Sequence, residues 1–200
     1  MKDSNTEENI LRAATSIFQK RGLAGARMQE IADEANINKA MLHYYYRSKQ
    51  KLFEAVFMQA FKKLVPHING IFNSEVSVFE KIRRFVDSYI SFVVDNPYLP
   101  TFLIQEINNN PEFAKTFFSV NIAPEPILFV QQISAEIKNG VLMPIDPKLL
   151  LLNLFSLSAF PFVASGLVKE ILKLDEESFN TMMEERKTII AELIINSIKA

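Results

Sequence analysis

The 200-residue chain predicts an all-α protein, a small N-terminal helical head followed by a larger helical body. Three observations predict it. Apolar residues recur at three- and four-residue spacing along nearly the whole chain. Only five glycines are present and β-branched alternation is scarce. Asn, Asp, Ser and Pro stand where one periodic run gives way to the next. Hydrophobic residues make up 48% of the chain, enough for a substantial core.

The elements follow in order. Residues 7–21 carry Ile10, Leu11, Ala14, Ile17 and Phe18 on one face, and Gly22 is placed to end that helix. Met28, Ile31, Ala32 and Ala35 form the apolar face of a second, short helix. Asn36 tolerates the left-handed conformation of a sharp turn, and Ile37 plugs the angle. Asn38 is a good N-cap for a third helix, KAMLHYYY. There Leu42 and Tyr45 are expected inward, leaving Lys39, Met41, His43 and Tyr44 outward. Ser48 caps a fourth helix carrying Leu52, Phe53, Val56, Phe57, Phe61 and Leu64, with Pro66 near its end. The second and third helices are each about two turns, well under the roughly 12–15 residues an isolated helix needs. They must pack on the first and fourth, which makes residues 27–49 a helix-turn-helix with its recognition helix in second place.

Beyond a boundary near residues 66–75, prolines punctuate the chain. The spacing predicts a helix over 76–95, broken at Asn96-Pro97, and another over 99–109, ended by Asn110-Pro111. A short helix follows through Phe118. Pro124 and Pro126 open one that ends at Asn139-Gly140. Asp146 caps, and Pro147 opens, a long helix over 147–169. A last helix over 176–198 starts with the acidic run DEES. The apolar stretch 149–168 is long enough for a bilayer. Asn153, several serines and Pro161 interrupt it and it is the only such stretch, so it is expected as a buried helix with no membrane partner.

Residues 10–57, ILRAATSIFQKRGLAGARMQEIADEANINKAMLHYYYRSKQKLFEAVF, resemble the DNA-binding domain of tetracycline-repressor-like (TetR family) transcriptional regulators. The resemblance rests on the Ile-Leu-x-Ala-Ala start, Phe18, the Gly22 corner, Ile31-Ala32, the Ala-Asn-Ile-Asn turn and Ser48-Lys49. Four positions depart from it. Family members usually carry Thr or Ser near Arg27, Gly at Ala40, Thr at Met41, and a phosphate-contacting Tyr at His43. Met41 makes no useful hydrogen bond, whereas His43 still donates one.

The resemblance implies a DNA-binding domain over 1–66 and an effector-binding and dimerisation domain over 67–200. It implies a homodimer on a palindromic double-stranded DNA operator. Lys39 and Tyr44 are expected nearest the bases, with Ala40 and Met41 beside them. Arg27, His43 and Lys49 are expected on phosphates. The family pairs its last two helices across the dimer, which makes Phe155, Ile190, Leu193 and Ile194 interface candidates. Apolar residues on more than one face of IIAELIINSI fit that, and fit an internal core helix as well. The family holds an effector among its middle helices. Phe85, Tyr89, Phe102, Gln105, Glu106, Phe129 and Phe155 are candidates here, with Phe92 and Phe117, although a Phe stripe at helical spacing equally builds core. The effector expected is apolar or amphipathic.

Charge agrees with this division. Residues 1–66 hold 11 Lys and Arg against 7 Asp and Glu, a balance of +4, so the remainder of a chain with net charge −1 holds −5. The absence of cysteine excludes a disulfide framework and a thiolate metal site. The two histidines, His43 and His67, are placed too far apart for one site, and no glycine-rich phosphate loop occurs. No catalytic constellation, metal or cofactor is expected, and no signal peptide opens the chain. The expectation is a cytoplasmic, ligand-released repressor. A DNA-binding regulator without a small effector, and a helical interaction protein, are the alternatives.

Overall fold

A computed structural model describes residues 2–109, 112, 115 and 126–200, apart from the side chains of residues 2–4 and 106. The chain divides into two compact units, Met1–Lys63 and Leu64–Ala200, and the division falls inside the fourth helix. Described secondary structure is helical: α1 (Lys2–Gly25), α2 (Met28–Glu34), α3 (Lys39–Tyr45), α4 (Lys49–Phe72), α5 (Val78–Asp95), α6 (Leu99–Asn109), α7 (Ile127–Lys138), α8 (Pro147–Val163), α9 (Ser165–Leu172) and α10 (Glu176–Ile198). The short helix expected through Phe118, and Pro111, Phe117 and Pro124, lie outside the described residues.

In the first unit Ile10, Ala14, Ile17 and Phe18 of α1 meet Ile31 and Ala32 of α2, Leu42 of α3 and Leu52, Phe53 and Phe57 of α4 as its buried core. Gly22 has φ 66° and ψ 175°, a non-helical conformation that strains any residue with a Cβ, so the first helical run ends there as expected and a short second run continues to Gly25 across the kink.

In the second unit α5 packs chiefly against α10, and also against α8 and α7. Val78, Ile82, Phe85, Val86, Ile90 and Val93 are its buried stripe. Ser77 caps α5 by accepting from the Glu80 amide, and Asp175 caps α10 by accepting from Ser178. Asp146 does the same for Lys148 at the start of α8, with Pro147 in the first turn as expected.

Two elements differ from expectation. The fourth helix does not stop near Pro66 but runs on to Phe72. A proline inside a helix costs about 3 kcal/mol. Burial of Ile68, Ile71 and Phe72, each worth about 1.5–3 kcal/mol, exceeds that, and Pro66 itself lies in solvent. The long helix expected over 147–169 is broken after Val163 and resumes as α9 at an angle of 74°. Pro161 lies just before the break and cannot donate to the Leu157 carbonyl one turn back. Arg186 of α10 supplies the missing donor, its Nη2 lying 3.0 Å from that oxygen. Burial pushes the guanidinium pKa below its usual value, and Arg186 Nε and the neighbouring Ser158 Oγ are buried without a hydrogen-bond partner.

The 149–168 stretch is therefore not a buried helix. Leu150, Leu154 and Phe162 face inward, but Leu149, Leu152 and Phe160 are exposed. No single described helix is long and apolar enough to cross a membrane; α8 and α9 reach that length only together, across their bend.

Replacing Arg186 with Met should orphan the Leu157 carbonyl and lower stability by about 1–3 kcal/mol. In a Pro161→Ala background the new amide can take that carbonyl, and the same substitution should cost clearly less. Urea denaturation of the four proteins measures the coupling; equal costs in both backgrounds would refute the substitution of one donor for the other.

Candidate nucleic-acid interface

The geometry of α3 is set at both ends. Asn36 adopts φ 55° and turns the chain after α2, and the Ile37 amide donates to the Ala32 carbonyl at 3.0 Å. The Asn38 side chain then accepts from the Met41 amide at 2.7 Å, capping α3. Leu42 is fully buried and anchors the helix. At the exit Tyr46 leaves the helix in an extended conformation. Its hydroxyl donates to Glu7 Oε1 of α1 at 2.9 Å. Burial, reinforced by the Glu7 carboxylate, holds that hydroxyl far above its usual pKa.

This corrects one expectation. Tyr46, rather than Tyr45, is the aromatic buried beside Leu42. Helical spacing favours Tyr45, but the helix ends there and the extended turn swings the next ring inward. Tyr45 is half-buried and packs edge-on against Tyr44, with centroids 5.6 Å apart and planes at 89°.

Lys39, Ala40, Met41, His43 and Tyr44 all lie on the exposed side of α3, Tyr44 being 84% accessible. Arg27, at the N-cap of α2, and Arg47, just after α3, are also exposed. Among the described residues Arg27, Lys39 and Arg47 carry no ion pair, so their charges are uncompensated. Lys51 is spent on Glu54 at 2.7 Å. Lys49 is half-buried, and its ammonium donates to the carbonyls of Ala24 and Ala26 at 3.1 and 3.0 Å. It therefore ties the start of α4 to the segment after Gly22. One of its three donors remains for a phosphate.

The second unit gathers some of the expected ligand residues and not others. Phe85, Tyr89, Phe129 and Phe155 share one ring cluster. Phe85 lies 4.9 Å from Phe155 and 5.6 Å from Tyr89. Phe72 joins it, 5.1 Å from Phe85 and 4.9 Å from Phe129. Spacing with Pro66 near the helix end leaves Phe72 outside the expected ring set, although Ile68, Ile71 and Phe72 continue the periodicity of α4. Phe85 and Phe129 are fully buried, and burial pushes the Tyr89 hydroxyl up to about 12. Phe102 is buried in α6, Phe92 is half-buried, Gln105 is exposed, and the Glu106 side chain lies outside the described residues.

The dimer candidates also separate. Ile190 and Ile194 are each 3% accessible on the inner face of α10, so they are core of their own chain and not an outward surface. Leu193 is 55% exposed, as is its neighbour Ile189 at 57%, and Phe155 is half-buried in the ring cluster. Exposed apolar side chains concentrate nearby: Leu149, Leu152 and Phe160 on α8, and Leu167, Ile171 and Leu172 on α9. The apolar runs of both helices hid this division, since only burial tells inner from outer positions. Among the described residues no cluster of metal-ligating side chains occurs.

Tyr46→Phe should remove the bond to Glu7 while keeping the ring, at a cost of about 1–3 kcal/mol because the acceptor is charged. Thermal denaturation measures it; an unchanged midpoint would show that the bond does not secure the exit of α3.

Comparison with known proteins agrees with this geometry. Residues 10–56 match the family model "Bacterial regulatory proteins, tetR family", and residues 75–200 match "Tetracyclin repressor-like, C-terminal domain". The chain is 22% identical over 171 residues to the probable HTH-type transcriptional regulator YttP of Bacillus subtilis (strain 168), covering 84% of this chain and 82% of that protein. It is 31% identical over 109 residues to the HTH-type transcriptional repressor NicS of Pseudomonas putida, covering 50% of this chain and 48% of that one. In fold it is similar to a TetR/AcrR-family regulator from Thermobifida fusca, with TM-score 0.70 at 18% identity over 96% of this chain and 97% of that one. With both family models matched in order along it, the chain belongs to the TetR family and is a DNA-binding transcriptional regulator, not an enzyme.

Proposed function

We propose that the protein is a cytoplasmic, ligand-released repressor that binds a palindromic operator as a homodimer. Residues 1–66 form its DNA-binding domain and residues 67–200 its effector-binding and dimerisation domain. The observation that carries the DNA reading is the outward face of α3. Its side chains point to solvent beside uncompensated Arg27, Lys39 and Arg47. In the docked helix Lys39 is nearest a guanine edge, since a Lys there can meet O6 and N7. Tyr44, Ala40 and Met41 lie along the groove floor, while Arg27, His43 and the spare donor of Lys49 take phosphates. The name of NicS supports repression, as a property of that relative.

The apolar side chains exposed on α8 and α10 support the dimer. A two-fold dimer reads two half-sites, and each head alone reads too few base pairs to hold an operator. The aromatic cluster around Phe85 supports an apolar or amphipathic effector, with Tyr89 as a polar anchor. The effector must favour the state that does not bind DNA, because equal affinity for both states shifts nothing. A coupling of about 1–3 kcal/mol gives a 5–150-fold change in operator affinity. The close ring-to-ring packing of Phe72, Phe85 and Phe129 favours a second reading, a regulator with no small effector.

Selection from random duplex DNA, with and without metabolite extract, tests the whole reading. A selected palindrome whose binding weakens with extract is expected; no selected duplex would refute it, and indifference to extract would favour the second reading. Lys39→Ala should cost roughly 1–3 kcal/mol of operator binding and relax specificity at one symmetric position. Unchanged preference would remove Lys39 from the bases. Ile189→Glu with Leu193→Glu should dissociate the dimer in sedimentation and lower operator affinity about 10²–10⁴-fold. An intact dimer in that variant would move the interface elsewhere.

A further inference from the structure

Resting on the DNA-binding reading above, we infer that α3 reads its half-site mainly through thymine methyl groups, beside a single guanine. At roughly 100° per residue, Ala40 and Tyr44 fall within about 20° of the pole opposite the buried Leu42. They are the centre of the outward face. Lys39 and His43 lie on one flank of that centre and Met41 on the other.

The centre and one flank are therefore apolar or aromatic. Ala40 has only a methyl, Met41 is 42% exposed, and Tyr44 presents most of its ring. Ala40 and Met41 have no hydrogen-bonding group on their side chains that discriminates bases. The Tyr44 ring is not a loose appendage, because its edge-on contact with Tyr45 holds it. Among base edges in the major groove, only thymine offers an apolar group, its C5 methyl, and apolar side chains contact it. Neither Asn nor Gln occurs within α3 to pair with adenine, and no Asp or Glu occurs there to accept from cytosine. Lys39 is the one lysine or arginine of the helix, and it specifies guanine. A half-site with one guanine followed by thymines on the strand read is the sequence class that satisfies these side chains.

The test uses the full chain. Duplexes are selected from random DNA, and the selected site is then remade with uracil for thymine, one position at a time. Uracil keeps every hydrogen-bonding group and loses only the methyl. Affinity should fall about fourfold per contacted methyl, the equivalent of one buried methylene at about 0.8 kcal/mol. The penalty should shrink when the contacting side chain is removed, at one position in Tyr44→Ser and at another in Met41→Ala. Both residues are exposed, and circular dichroism would verify that each variant stays folded. A selected site without thymines beside its guanine, or one bound equally well with uracil, overturns this inference and leaves the DNA-binding reading intact. A protein that selects no duplex at all overturns both.

Discussion

The burial of one face of α5 against α10 organises the larger unit. Val78, Ile82, Phe85, Val86, Ile90 and Val93 line α5, and Met183, Ile190, Ile194, Ile195 and Ile198 line α10, all buried. At about 1.5–3 kcal/mol for each large side chain removed from water, this outweighs the polar contacts at its margins. Arg83 meets Glu192 at 2.7 Å, but both groups are well exposed, and such pairs contribute roughly 0–1 kcal/mol. The consequence reaches the opposite side of α10. Once Ile190 and Ile194 turn inward, Ile189 and Leu193 have no choice but to turn outward, where the chain itself leaves them uncovered.

Irregular backbone in this protein is met by side chains rather than left to water. The Leu157 carbonyl that Pro161 abandons receives Arg186, and the carbonyls of Ala24 and Ala26, beyond the bend at Gly22, receive Lys49. Both cations come from helices distant in sequence. Neither is free to be a simple surface charge, which separates Lys49 from Lys39 although the two look alike in the chain. Pro66, by contrast, lies exposed on α4.

Much of this was legible in the residues. The helix-turn-helix could be read because its caps and turn are chemically specific: Asn36 at positive φ, Asn38 accepting from Met41, and Ser48 accepting from the Lys51 amide are local rules with local causes. The helix starts at Pro147 and Glu176 followed from the same kind of signal. What escaped depends on partners far away in sequence. The run of α4 past Pro66 is decided by the core that receives Phe72. The break after Val163 comes at a proline the sequence shows, but the arginine that receives the abandoned carbonyl lies on another helix. The inner and outer sides of α8 and α10 cannot be told apart where both are apolar. Tyr46 escaped because the helical period stops one residue before it.

The fastening of α3 at both ends has a kinetic meaning. With Asn38 closing its first turn and Tyr46 held to Glu7 at its exit, the recognition helix is formed before any DNA arrives. No segment of α3 has to order itself during docking, so association should follow a single phase whose rate rises in proportion to DNA concentration, with no slow unimolecular step behind it. Affinity differences among operators would then reside in how long each complex lasts, and a poor site would be left sooner rather than found more slowly.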